Sequence, residues 1–266
     1  MKTVIAGEPW EEESDVLPLP WKGVKPKRDF TVGVLWDDGI AHPHPPIIRA
    51  LKHAVAKLQT AGIKVIDWVP YKHDHGLRIL VDMFYADGAQ AQLDALASSG
   101  EPWLPLTKEA FTHARKMTVS KNWEVNLERD AYRDEHLELM KQRGVDFILC
   151  PTYVGVAGEP HNCRYFPYTA VWNILDMPGV VFPTGLKVDQ ELDVIVKEYV
   201  PRSKQDEAEY VAYAPQKFVD APICLQLVRL TSLFSYSLLI LSQVGKRYRD
   251  EETIAASSVI EEIFRN

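Results

Sequence analysis

Short apolar runs recur along the chain, and turn-forming residues end them. The run Phe147-Ile148-Leu149-Cys150 stops at Pro151 and contains no polar alternation. A strand that is covered on both faces of a sheet needs no alternation, so this run predicts a buried strand. Similar runs predict four more strands, at residues 30–36, 64–69, 180–182 and 223–228.

Between the first two predicted strands, apolar residues recur with the spacing of a helix. They lie at positions 47, 48, 51, 54, 55 and 58, after Pro45 and Pro46 and before Gly62. Proline is tolerated in the first helical turn, where its missing N–H is not needed. A strand, a helix and a strand of these lengths form a βαβ unit, which implies a parallel pair and an α/β fold. Further helices are predicted near residues 75–98, 107–117, 120–143 and 250–263.

The stretch from Asp146 to Gly185 organises the rest of the chain. After its first strand, residues 152–165 contain Gly155, Gly158 and Pro160 and predict an irregular loop. Residues 168–176 then predict a short apolar helix, and a turn leads into the strand at 180–182. A strand, a loop, a short helix and a strand in this order are typical of a pocket at the end of an α/β sheet.

Composition narrows the class of protein. The 266 residues are 46% hydrophobic and 25% charged, with a formal net charge of −7, which is ordinary for a soluble globular chain. Because basic runs are short, we expect neither nucleic acid nor a membrane as a partner.

Three widely spaced cysteines, Cys150, Cys163 and Cys224, favour a reducing, cytoplasmic compartment over a disulfide framework. The N-terminus lacks the apolar core of a signal peptide, and residues 1–29 predict an extended segment with Trp10 and Trp21 as anchors.

Several motifs carry a family resemblance, and they occur in the expected order along nearly the whole chain. In the organising stretch they are Cys150-Pro151, Tyr168-Thr169, Asn173, Asp176-Met177-Pro178 and Phe182-Pro183. Elsewhere they include Pro43-His44-Pro45-Pro46, Arg49-Ala50-Leu51, Met83 to Gly88, Ser99 to Pro102 and Arg247 to Glu252. Together they resemble the C-terminal half of an amidase-signature enzyme, most similar to the fungal acetamidase and general amidase branch.

The resemblance implies part of an α/β/α sandwich with a mixed, mainly parallel sheet, formed by residues 30–266. It implies a hydrolase that converts a linear carboxamide to an acid and ammonia through a Ser-Ser-Lys acyl-enzyme mechanism. It implies no cofactor and no metal. A small amide would be the ligand of a complete pocket.

The chemistry of that family requires glycine-rich backbone that forms an oxyanion hole beside a serine nucleophile. The sequence has no Gly-Gly pair, and its Ser98-Ser99-Gly100 lies at the end of a predicted helix. We interpret Gly100 as a left-handed C-cap, and we place Ser257-Ser258 inside the last helix. No catalytic residue is therefore assigned, and the chain is expected to be inactive alone. Two alternatives remain open: a non-catalytic binding or assembly protein, and a half-enzyme that needs a separate N-terminal chain or a homodimer.

The resemblance places Tyr168, Thr169 and Asn173 where the family lines its substrate pocket. Helical spacing puts the three on one face of the short helix, so we predict that they bind substrate. The alternative is structural: Tyr168 packs with its hydroxyl satisfied and Asn173 caps or bridges buried backbone. Trp172 and Leu175 are expected in the core.

Other residues with suitable chemistry have simpler interpretations. His42 and His44, like His73 and His75, could begin a metal site, but no third ligand lies at a suitable spacing, so surface loop histidines are expected. Asp37 and Asp38 are interpreted as turn formers. Cys150 and Cys163 lack a nearby base that would make either a nucleophile.

Residues 229–243 form an atypical apolar insert that interrupts the resemblance. The insert is shorter than the roughly 20 apolar residues that a bilayer span needs, and it could instead be a buried extra helix or strand. Removing Val228 through Gln243 restores Leu-Gln-Leu-Val-Gly-Lys-Arg, and the codons at both ends are compatible with splice sites. We hypothesise an unspliced intron. Sequencing of the transcript should then find mature message without these codons, and message that retains them would contradict the hypothesis.

Overall fold

The computed structural model describes residues 1–229 and 250–265. Five strands in these residues form one sheet in the order β2-β1-β3-β5-β4. β1 is parallel to β2 and β3, whereas β5 is antiparallel to β3 and β4. Four of the five strands therefore point the same way, which confirms the mixed, mainly parallel sheet. The strands are β1 (Thr31–Val34), β2 (Lys64–Asp67), β3 (Phe147–Pro151), β4 (Gly179–Lys187) and β5 (Pro222–Arg229).

The helices follow the predicted pattern in part: one predicted helix is divided, the helix predicted near 107–117 ends at Phe111, and the helices Lys2–Ile5 and Lys204–Ala212 were not predicted. The helix predicted at 75–98 is two helices, because Gly88 and Ala89 both have positive φ angles, of 76° and 63°. The described helices are α1 (Lys2–Ile5), α2 (Pro45–Thr60), α3 (His73–Phe84), α4 (Gln90–Ser99), α5 (Pro105–Phe111), α6 (Val119–Arg143), α7 (Pro167–Ile174), α8 (Lys204–Ala212) and α9 (Asp250–Arg265).

Alternation along the strands divides the core between the two faces of the sheet. Val32 and Val34 of β1 pack with α2 and α9 on one face. Leu35, which follows β1, packs on the other face with α3, α6 and α7. Gly33 lies between them, and a Cβ there would approach the Val145 side chain to 3.1 Å. The sheet is thus covered by helices on both faces, as in a three-layer α/β/α sandwich.

On the second face, α3 and α6 approach each other closely. At Gly76 of α3, an added Cβ would lie 2.7–2.9 Å from the ring and hydroxyl of Tyr132 on α6. Tyr132 is 1% exposed, and its hydroxyl donates to the backbone oxygen of Tyr71 at 3.2 Å. A side chain at position 76 would therefore have to displace a buried ring that cannot easily move.

Residues 1–29 contain two short helical turns and then a segment without regular structure. The backbone N–H of Lys22 donates to Glu251 at 2.9 Å, and Arg28 pairs with Glu262 at 3.1 Å. These contacts place the segment along α9. Trp10 and Trp21 are both half-buried. The boundary at residue 29 stays a prediction.

The insert predicted at residues 229–243 lies outside the described residues, except that Arg229 ends β5. Within residues 1–229 and 250–265, no helix is both long and apolar enough to cross a bilayer.

Two histidines lie deep in the second face of the core. His73 and His136 are 3% and 0% exposed, and within the described residues neither ring nitrogen of either has a hydrogen-bond partner. Burial lowers the pKa of His73 to about 4 and that of His136 to about 3. The expectation of a surface histidine at position 73 is therefore wrong, because α3 begins at this residue and turns the ring toward Trp172.

These depressed pKa values predict a fold that loses stability in acid. Below about pH 6.5 the unfolded chain binds a proton on each histidine, whereas the native state binds none until about pH 4. The free energy of unfolding should therefore fall as pH decreases from about 6.5 to 4, by up to about 1.4 kcal/mol per pH unit for each histidine. Urea unfolding at a series of pH values measures this slope.

The variant with His73→Phe and His136→Phe should have a shallower pH slope than the native chain, because two proton-binding groups are lost. The matched control is the variant with the exposed His161→Gln, which should keep the native slope. An unchanged slope in the double phenylalanine variant would show that other groups cause the acid sensitivity.

Candidate functional site

The candidate site lies where β1, β2 and β3 end. In a parallel sheet the loops after the carboxyl ends of the strands meet at one edge, where ligands usually bind. Here these loops are residues 35–44, 68–72 and 152–166. A cavity of about 450 Å³ opens at this edge, and Asp38, Pro70, His73 and Arg202 are among its lining residues.

Asp38 is the central side chain of this edge. One carboxylate oxygen accepts from the backbone N–H groups of Ile40 and Ala41, at 2.9 and 3.0 Å. The other accepts from the Tyr165 hydroxyl at 2.5 Å. These bonds confirm a turn-forming aspartate, but one that is 2% exposed. Burial raises the pKa of Asp38, although its three hydrogen bonds oppose that shift.

Tyr168 joins the same cluster from α7. Its hydroxyl donates to the backbone oxygen of Ala41 at 2.7 Å and accepts from the backbone N–H of Asp38 at 3.3 Å. Burial, together with the negative charge of Asp38, raises the pKa of both Tyr165 and Tyr168. Both therefore stay neutral donors at physiological pH, and they connect the loop after β1 to α7.

Thr169 and Asn173 share the exposed face of α7, four residues apart. The Thr169 hydroxyl donates to the backbone oxygen of Phe166 at 3.0 Å. Tyr168, in contrast, is 1% exposed and points into the fold, so the three predicted site residues do not all share one face. The structural alternative describes Tyr168 correctly, and Trp172 and Leu175 lie in the core as expected, at 3% and 5% exposure. Substrate binding by these three residues stays a prediction.

A second group of side chains joins α8 to the loop after β1. Arg202 makes a bidentate ion pair with Asp37, at 2.8 and 3.1 Å. Although burial opposes ionisation, hydrogen bonds from His42 and Arg202 lower the pKa of Asp37. Asp206 of α8 accepts from the backbone N–H groups of His42 and Arg202, at 3.0 and 2.8 Å.

His44 forms the third contact between these elements. Its Nε2 lies 3.0 Å from the backbone oxygen of Glu209, and its ring lies 4.6 Å from that of Tyr213. Gly155 is required opposite it, since a Cβ would lie 2.4 Å from Nδ1 of His44. Burial lowers the pKa of His44 to about 4. The ring is therefore neutral and buried, which corrects the expectation of a surface histidine.

Within the part of the chain that the structure describes, the arrangement positions groups but brings no activated nucleophile to this edge. The hydroxyls of Ser98 and Ser99 donate to backbone oxygens of their own helix, and Gly100 caps that helix in the left-handed region, as predicted. Ser257 and Ser258 likewise donate to the backbone oxygen of Ile254. Cys150 is fully buried, and burial raises the pKa of its thiol. In the described residues, no group of three or more metal-ligating side chains occurs.

The Tyr165→Phe variant tests the importance of the Asp38 cluster. It leaves one oxygen of a buried carboxylate without its hydroxyl donor, so the free energy of unfolding should fall by about 1–3 kcal/mol. The control is Tyr71→Phe, which removes a hydroxyl that donates to the exposed Glu135; it should cost under about 1 kcal/mol. Urea unfolding measures both variants. Equal losses would show that the buried hydrogen bond has no special role.

Comparison with known proteins places this geometry in a family. The Amidase family model matches residues 1–230. A Schizosaccharomyces pombe protein that carries an amidase name is 34% identical over 259 residues, which are 96% of this chain and 45% of that protein. The acetamidase of Emericella nidulans is 30% identical over 260 residues, or 92% of this chain and 47% of its own length.

A solved structure titled fatty acid amide hydrolase is also similar. It is 37% identical, with a TM-score of 0.87, over 97% of this chain and 44% of that one. The chain thus spans about half the length of the relatives that it matches. On the family match, the sequence identity and the shared fold, the chain belongs to the amidase family.

Proposed function

We propose that this chain forms the substrate-facing wall of a carboxamide hydrolase and does not hydrolyse amides by itself. Family membership supports the reaction class, since similar proteins are named amidase and acetamidase. The proposal rests on an observation at the edge where β1, β2 and β3 end: the side chains there are fixed in place, but the described hydroxyl groups are not activated. The edge is built in detail by buried hydrogen bonds, yet the hydroxyls of Ser98, Ser99, Ser257 and Ser258 donate to backbone oxygens of their own helices. Ser203 lines the cavity, but its hydroxyl oxygen caps α8 by accepting from the backbone N–H of Asp206.

Amide hydrolysis by acyl transfer needs an activated hydroxyl beside donors for the developing oxyanion. The hydroxyls of Ser98, Ser99, Ser257 and Ser258 are engaged within their own helices. The cysteine in β3, Cys150, is kept as a thiol by burial. Catalysis would therefore require residues contributed by another part of the enzyme, of the Ser-Ser-Lys kind that the family resemblance implies.

The wall would present Thr169 and Asn173 to the substrate. The Asn173 carboxamide can donate to an amide oxygen and accept from an amide N–H, whereas the Thr169 hydroxyl, which donates to Phe166, can accept from an amide N–H. Tyr168 would act as a positioning residue, because its hydroxyl holds α7 against the backbone at Asp38 and Ala41. A small linear carboxamide is the substrate class that this arrangement suits best.

A half-enzyme that is completed by a separate chain is the second candidate, and the uncovered edge of the sheet favours it. In the described residues, β4 pairs only with β5. Its Val181 is 59% exposed, and Phe166 at the start of α7 is 52% exposed. An open strand edge with exposed apolar side chains is the surface that an additional strand would cover.

The purified chain should release no ammonia from acetamide or benzamide above the buffer rate, because residues 1–229 and 250–265 place no activated nucleophile at the edge of the sheet. Co-expression with the N-terminal half of a fungal acetamidase should restore release if the second candidate holds. In that complex, Asn173→Ala should raise KM several-fold while Asn126→Ala, a change on α6, leaves KM unchanged. Turnover by the isolated chain would overturn the proposal.

A further inference from the structure

A second cavity lies beside the start of α2, next to the one at the ends of β1, β2 and β3. Its volume is about 670 Å³, which is within the range of pockets that hold small organic molecules. Arg202 lines both cavities. Most other lining residues of the second cavity come from α2 and from the loop between β4 and α8.

One wall of this cavity is a face of α2 that does not pack into the core. Its lining residues recur with helical spacing, so they share one side of the helix. They are Pro45, Ile48, Arg49 and Lys52. The buried residues of α2 that face the sheet lie on another side of the helix, and they include Ile47, Leu51, Ala54 and Leu58.

The opposite wall is a loop that exposes its apolar side chains. Leu192, Val194, Val196 and Val200 are 64%, 55%, 54% and 81% exposed. The Tyr210 hydroxyl fixes the backbone of Val196, because it accepts from the N–H at 2.7 Å and donates to the oxygen at 3.0 Å. Apolar side chains that a fixed loop exposes beside a cavity indicate a binding surface.

A buried ion pair holds the two walls together. Asp193 of the loop is 0% exposed and accepts from Arg49 of α2 through both carboxylate oxygens, at 2.7 Å each. The Tyr213 hydroxyl donates to the backbone oxygen of Asp193 at 2.7 Å. The cavity is therefore formed before a ligand arrives, which lowers the ordering cost of binding.

The fixed charges among the described lining residues are all positive. Arg49 is paired with Asp193, and Arg202 is paired with Asp37. Lys52 is exposed and makes no ion pair within residues 1–229 and 250–265. The cavity thus combines apolar walls with one uncompensated positive charge. This combination is complementary to a single negative charge on an apolar molecule.

We propose that this cavity binds an amphipathic monocarboxylate, an organic acid with an apolar chain or ring. The carboxylate pairs with the ammonium of Lys52, and the apolar part lies between Ile48 of α2 and Val194 and Val196 of the loop. A phosphate monoester is close to a dianion at neutral pH, and the described lining offers it no second unpaired cation. A carboxylic acid is also what carboxamide hydrolysis releases. That link to a product rests on the proposed function, whereas the binding does not.

Isothermal titration calorimetry of the full chain with octanoate tests the proposal. Octanoate should bind saturably at one site. Lys52→Met removes the charge but keeps an apolar stem, so it should weaken binding about three- to fivefold, as expected for one exposed ion pair. Lys197→Met is the matched control, since Lys197 is exposed in the same loop but does not line the cavity. It should keep the native affinity.

Changes of ligand and of the loop wall test the two halves of the recognition separately. Octan-1-ol should bind more weakly than octanoate, and Lys52→Met should not change its affinity. Each methylene removed from octanoate should weaken binding by about fourfold. Val194→Asp should abolish octanoate binding by charge repulsion. Val219→Asp, at a position that is 47% exposed outside the cavity, should not. Circular dichroism checks that every variant is folded.

Three results would overturn the proposal: no saturable binding of octanoate, native affinity in Lys52→Met, or octan-1-ol that binds as tightly as octanoate. If Asn173→Ala weakens octanoate binding and Lys52→Met does not, the acid binds at α7 and the proposal is wrong. If octanoate does not bind but an added N-terminal amidase half shields Lys52 from acetylation, the cavity is a contact between halves and the proposal is again wrong. Ammonia release enters none of these measurements, so a failure of the proposed function would leave their outcome unchanged.

Discussion

The buried carboxylate of Asp38 is the constraint on which the candidate site depends. A carboxylate that is 2% exposed is costly unless donors surround it. Here two backbone N–H groups and the Tyr165 hydroxyl meet it, while Tyr168 holds the backbone on either side. The loop after β1, the loop after β3 and α7 are therefore fixed together around one charge. Movement of the loop after β3 would remove the Tyr165 donor from that carboxylate, and movement of α7 would break the bonds of Tyr168 to the backbone of Asp38 and Ala41.

Two other buried aspartates in this part of the structure are also surrounded by hydrogen-bond donors. Asp193 is 0% exposed and accepts two hydrogen bonds from Arg49. Asp206 gathers backbone donors from the loop after β1 and from the residues before α8. Each buried carboxylate thus joins segments that are distant in sequence. The result is a preorganised edge of the sheet, which is what the proposed substrate-facing wall would need to orient a substrate.

Much of the fold could be predicted because it follows from local patterns. The apolar runs gave the strands, the proline pair gave the start of α2, and Gly100 gave the end of α4. Where local signals were absent, prediction failed. Ala89 adopts a left-handed conformation that alanine does not favour, so the division of α3 from α4 was not foreseen. α8 was not predicted either, although Ser203 is a typical N-cap residue, whose side chain accepts from the backbone N–H of Asp206.

The candidate site was less predictable than the fold, because its contacts join residues far apart in sequence. Turn formation by Asp38 was visible locally, but its partner Tyr165 lies 127 residues away. The burial of His44 and His73 likewise depends on contacts with elements that lie much later in the sequence. The family resemblance identified the three residues of α7 but did not predict which of them are buried. The packed structure shows that Tyr168 is buried, whereas Thr169 and Asn173 are exposed.

The central claim is that this chain supplies the wall of an amide-binding site without a nucleophile. A fluorophosphonate probe, which forms a covalent bond with an activated serine, tests it directly. After incubation of the folded chain and digestion, mass spectrometry should find no serine labelled above the level of the denatured chain. Labelling of any one serine in the folded chain alone would contradict the account.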